Sequence, residues 1–146
     1  MSLVDGVGGV FLFSKDPKRL ADWYADIFGI EFSGDAGPTT FYTVFWSRAE
    51  DDTERRVDCN FAIMALKRDL PSLPTHAEEP TDMYGDQHYM LNLRVSDLAQ
   101  TLAHLSEKGV PLIGTMDEPY GRFAWVRDAD GNRVELYEPK SHAASP

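Results

Sequence analysis

Apolar and polar positions follow the same course twice along this chain. Gly9-Val10-Phe11-Leu12-Phe13-Ser14-Lys15-Asp16 leads into a segment closed by Gly29, and Met90-Leu91-Asn92-Leu93-Arg94-Val95-Ser96-Asp97 leads into one closed by Gly109. In the first segment Leu20, Trp23, Tyr24, Ile27 and Phe28 recur at helical spacing, with Asp16 at the cap and Pro17 at the first helical position, so an amphipathic helix is predicted. In the second, Asp97 is the cap, Leu98, Leu102 and Leu105 share one face, and Gln100, His104 and Glu107 share the other. From His88 to Val95 the alternation is strict: Tyr89, Leu91, Leu93 and Val95 face one way, and His88, Met90, Asn92 and Arg94 the other. Asp128-Ala129-Asp130-Gly131-Asn132 reads as a hairpin turn, followed by a strand with Val134 and Leu136 on one face and Arg133, Glu135 and Tyr137 on the opposite one. Segments 41–47, 58–66, 110–114 and 122–127 supply further strands. The chain is therefore expected to be α+β, with two strand-helix-strand-strand-strand modules over 4–66 and 88–140 in a single 1–146 domain. Residues 67–87, with Pro71, Pro74 and Pro80, form a linker or a lid. Repeated units of this size cover one another's apolar faces, and ligand sites commonly lie where they meet.

Composition narrows the function. At 146 residues with 42% hydrophobic content, the chain can bury one core or two fused small ones. The single Cys59 excludes an intramolecular disulfide and fits a reducing compartment. No apolar run reaches the length of a membrane span and the N-terminus lacks a signal pattern, so a cytoplasmic protein without membrane contact is expected. The formal net charge of −10 repels phosphate backbones, which argues against nucleic acid, while a neutral or cationic small-molecule partner is electrostatically acceptable. Gly6, Gly8 and Gly9 precede a strand and do not make a phosphate loop, and nothing pairs Cys59 or a serine with a histidine. Asp128, Asp130 and Asn132 loosely match a calcium loop, but a hairpin turn accounts for them with the rest of that pattern missing.

The paired modules, the Lys15-Asp16-Pro17, Trp23-Tyr24 and Phe28-Gly29 pattern, and above all Tyr120-Gly121-Arg122-Phe123-Ala124-Trp125 with Asp128-Ala129-Asp130-Gly131-Asn132-Arg133-Val134-Glu135-Leu136 resemble the vicinal oxygen chelate superfamily, which includes glyoxalase I, extradiol dioxygenases and bleomycin-resistance proteins. The resemblance implies two βαβββ modules whose curved mixed sheets form a central cavity. It also implies metal ligands on the first and last strand of each half. Those positions fall on Glu135, on Gly9, on Met90 and within Asn60 to Met64, and only Glu135 is a ligand type. His88 shares the strand face of Met90, so His88 and Glu135 are the metal and catalytic candidates. The competing reading makes His88 a solvent-facing strand-end residue and has Glu135 held by Arg94 or Arg133. No tightly bound divalent metal is expected, since Gly9 and Met90 stand at ligand positions.

Two functional classes remain open at this point. One is a lyase, isomerase or dioxygenase acting on a small molecule without the full metal site. The other is a non-catalytic binder that sequesters an aromatic or cationic molecule, with Asn92, Arg94, Arg122, Trp125 and Tyr137 as ligand-binding residues around Glu135. Phe11, Phe13, Trp46, Trp125 and Tyr137 suit a flat or apolar ligand. A homodimer is expected from the continuously apolar first strand, Val10 to Phe13, whose edge would otherwise be open.

Overall fold

A computed structural model describes residues 3–34, 39–71, 85 and 87–140. Its contacts divide the chain after Leu70 into two compact units. Most of the expected linker or lid, 67–87, lies outside the described residues. No described helix is long and apolar enough to cross a membrane.

The first unit runs β1 (Gly9–Ser14), α1 (Pro17–Phe28), β2 (Thr40–Arg48) and β3 (Arg56–Ala65). The helix begins where predicted: Asp16 Oδ1 accepts from the Arg19 amide at 3.1 Å, and Pro17 fills the first turn. It ends at Gly29, whose φ of 68° is left-handed and therefore suits glycine. Sheet order is β1-β3-β2, with β1 parallel and β2 antiparallel to the central strand. Leu20, Ala21, Tyr24 and Ile27 are buried with Phe61 and Ile63 of β3, and the Tyr24 and Phe61 rings meet edge to face at 5.4 Å. Burying each such large side chain contributes roughly 1.5–3 kcal/mol.

The strand expected between α1 and β2 contracts to one bridge, Ser33 to Tyr42. Phe32, just before it, packs against Phe61 at 5.8 Å and draws the chain off the sheet edge.

The second unit is the complete βαβββ module: β4 (Leu91–Arg94), α2 (Leu98–Glu107), β5 (Leu112–Glu118), β6 (Gly121–Arg127) and β7 (Arg133–Pro139). Its order is β4-β7-β6-β5. Leu98 and Leu105 of the helix are buried on the same side as Ala124, Val126, Val134 and Leu136. Two carboxylates hold the start of α2: Asp97 Oδ1 accepts from the Gln100 amide at 2.9 Å, and Glu138 Oε2, on β7, accepts from the Leu98 amide at 2.6 Å. The β6–β7 turn is closed by Asp128, whose Oδ1 accepts from the Asp130 and Asn132 amides at 2.9 Å each while Oδ2 takes the Asn132 side-chain amide. That carboxylate is buried and turned onto its own loop, as a hairpin requires.

Candidate functional site

Strand parity decides which side chains share a face. In the second sheet, Asn92 stands beside Glu135 and Arg94 beside Tyr137 in the parallel β4–β7 pairing, while Trp125 and Phe123 oppose Glu135 and Tyr137 from β6. These residues occupy the face turned away from α2. Glu135 is only 7% exposed. Its Oε1 accepts from Asn92 Nδ2 at 2.7 Å and its Oε2 from the indole Nε1 of Trp125 at 2.8 Å. A buried carboxylate needs such donors, and both of its oxygens have one here. Beside it lies the buried Arg133, with its guanidinium carbon 5.6 Å from the Trp125 ring centre. Gly85 closes over that arginine: a Cβ there would sit 3.2 Å from Arg133 Cδ, and its φ is +68°.

Toward the Tyr137 end the face opens. Asn92 and Arg94 are exposed, and the Arg94 side chain has no hydrogen-bond or ion-pair partner among the described residues. Tyr137 stacks on Phe123 with centroids 5.1 Å apart and planes 13° from parallel, and Tyr120 meets Phe123 edge-on at 5.6 Å. Gly121 is required beneath this stack, because a side chain there would strike the Tyr137 ring.

Three expected positions differ in the structure. Arg122 is three residues from Trp125 on one strand, so it projects to the helix side, where it pairs with Glu138 at 3.0 Å and lies 3.8 Å from Asp117. It does not join Glu135. His88 is exposed and lies in a bend before β4, which begins at Leu91, so the alternation from His88 to Met90 is not strand. Trp125 is fully buried and acts on Glu135 as a donor, with no surface of its own to offer. The contribution of Glu138 went unread in the sequence, although its place three residues after Glu135 puts it on the helix face.

A divalent ion would need several convergent donors, and the described residues around Glu135 do not supply them. Both Glu135 oxygens are engaged by nitrogen donors. A Cβ at Gly9 would lie 2.6 Å from the Asn60 carbonyl oxygen, so no ligand side chain fits that position. Among the described residues, no three His, Cys, Asp or Glu side chains group around a common point.

The first sheet has its own helix-free face. Phe11, Phe13 and Trp46 lie on it about half exposed, and the guanidinium carbons of Arg48 and Arg56 stand 5.7 and 5.2 Å from the Trp46 ring centre.

Comparison with known proteins bears on both sheets. The family model described as Glyoxalase/Bleomycin resistance protein/Dioxygenase superfamily matches residues 6–136. No curated protein matches the chain. Similar solved structures include TnmS3, an antibiotic binding protein from Streptomyces sp. CB03234, at 20% identity and TM-score 0.59 over 96% of this chain and 100% of that one. Another is lactoylglutathione lyase from Agrobacterium tumefaciens, at 15% identity and TM-score 0.59 over 94% and 96%. A third is a glyoxylase/bleomycin resistance protein/dioxygenase domain from Frankia sp. EAN1pec, at 17% identity and TM-score 0.51 over 94% and 99%. Likeness at these identities speaks for the fold alone.

Proposed function

The chain belongs to the glyoxalase/bleomycin resistance protein/dioxygenase superfamily, and from that premise we propose that it binds a small aromatic acid without transforming it. The observation that carries this reading is the double engagement of Glu135 by Asn92 and Trp125. A buried carboxylate whose two oxygens each hold a nitrogen donor is a poor general base and a good fixed acceptor. Glu135 then serves as a positioning residue: it fixes the Asn92 amide, whose Oδ1 is left to accept from a ligand. Arg94, two residues along the same face, supplies the cation for a carboxylate, and the Tyr137–Phe123 stack supplies a wall for a ring. An antibiotic binding protein among the similar folds is compatible with this use of the face. The protein acts in the cytoplasm, as a homodimer, on small molecules and not on nucleic acid, in keeping with the net charge of −10.

Isothermal titration with 2-naphthoate and its neutral amide tests the proposal. The acid is expected to bind more tightly, and Arg94→Gln to weaken it about tenfold or more with the melting temperature unchanged. Equal affinity for acid and amide, or chemical conversion of the bound acid followed by NMR, would overturn it.

A further inference from the structure

Asn92 is a half-used amide on the ligand face of the second sheet. Its Nδ2 donates to Glu135 Oε1 at 2.7 Å, while its exposed Oδ1 has no hydrogen-bond partner among the described residues. The direction of that amide is set from behind. The Trp125 indole can only donate, and it takes Glu135 Oε2 at 2.8 Å; a carboxylate can only accept, so Asn92 must turn its nitrogen toward Glu135 and its oxygen away. Donation to a carboxylate polarises the amide and strengthens its carbonyl oxygen as an acceptor. The exposed side of Asn92 therefore suits a donor, and a charged donor most of all. Arg94 stands two residues along the same strand face, about 7 Å away between Cα atoms, and its side chain is long enough to bring the guanidinium beside the shorter amide. Next to Arg94 in the parallel register is Tyr137, half-buried and stacked on Phe123.

We propose that the aromatic acid held on this face is an aromatic α-amino acid, with its carboxylate on Arg94, its ammonium on Asn92 Oδ1 and its ring against Tyr137. This rests on the binding reading above and names the class of ligand. An α-amino acid carries both charges on one carbon, which matches a cation and a carbonyl acceptor that are neighbours on one strand face. Its ring sits one methylene further out, within reach of the adjacent aromatic wall. Net charge favours the same class. An acid with a carboxylate alone is repelled by a chain of formal net charge −10, whereas a zwitterion brings its own cation and meets no net repulsion. Glu135 and Trp125 do not touch the ligand in this arrangement. They are positioning residues that decide which atom of Asn92 faces it.

Isothermal titration of the full chain with L-tryptophan, indole-3-propionate and tryptamine tests the assignment, because the three share a ring and differ only in the ammonium or the carboxylate. L-Tryptophan is expected to bind about tenfold or more tightly than either of the others. Glu135→Gln should turn the amide over. Trp125 still needs an oxygen and takes that of the glutamine, whose nitrogen then faces Asn92, so Asn92 turns its oxygen inward and its nitrogen toward the ligand. In that variant indole-3-propionate is expected to bind at least as tightly as L-tryptophan, a reversal that lost stability alone does not produce. Should the variant fail to fold, the wild-type series decides. Equal wild-type affinity for L-tryptophan and indole-3-propionate, or an unchanged preference in Glu135→Gln, would overturn the ammonium site and leave the aromatic-acid reading standing. So would binding of 2-naphthoate without binding of L-tryptophan. Tryptamine bound as tightly as L-tryptophan, or no binding of L-tryptophan and 2-naphthoate alike, would overturn both.

Discussion

At the scale of single residues, Glu135 and Trp125 form the most constrained pair in the second unit. Each is buried and each supplies the other's hydrogen-bond partner. Leaving one member in place without the other orphans a buried polar atom, at a cost of about 1–3 kcal/mol. Trp125→Phe and Glu135→Leu are each expected to lower stability by that amount in urea denaturation. The double variant should cost less than the sum, because it leaves neither atom of the pair orphaned. A strictly additive double variant would mean that the contact carries no coupling. The face that Glu135 occupies was visible in the sequence because the Asp-Gly-Asn turn fixes its place on β7. Its partners were on the predicted face as well. What the sequence withheld was their use, since an indole on a strand reads equally well as ligand wall or as buried donor.

Among the elements, the helices were the most legible. Asp16, Pro17 and Gly29 bound α1, and Asp97 starts α2, because caps are local chemistry that tertiary packing has little reason to override. Asp97→Ala is expected to cost about 1 kcal/mol and to leave α2 formed, since Glu138 still holds the Leu98 amide. Chemical denaturation with a helix signal in circular dichroism checks both halves of that statement. Strands were harder to read. The polar alternation continues from His88 through Met90, yet β4 starts at Leu91, where the described pairing with Val134 begins. Alternation reports a possible face, whereas a strand requires a neighbour to bond with. Arg122 illustrates the reverse case: it was grouped with Trp125 around Glu135, yet three residues along one strand put the two on opposite faces, and the ion pair with Glu138 is what the helix side offers.

For the whole molecule, charge sets the response to acid. The Asp117 carboxyl lies below its ordinary value of 3.8, chiefly through the hydrogen bond from the Lys140 ammonium, with the charges of Lys140 and Arg122 adding and desolvation opposing. A carboxyl lowered in the folded state stabilises the fold at neutral pH, and that contribution disappears as pH falls through the folded value. The melting-temperature difference between wild type and Lys140→Ala should therefore be present at neutral pH, be lost as pH falls through the lowered Asp117 value, and shrink in high salt because the pair is solvent-exposed. A difference independent of pH would place the role of Lys140 in the packing of its side-chain methylenes and not in its charge. The close approach of Gly9 to Asn60 has a longer reach than any of these pairs. A codon change at position 9 can deliver an imidazole but not the room to hold it, so metal-dependent catalysis is not one mutational step away. Strand β1 would first have to move relative to β3, and a parallel register shifts by insertion or deletion with all its side chains at once. A single substitution at position 9 therefore leaves the first unit without a ligand at the start of β1.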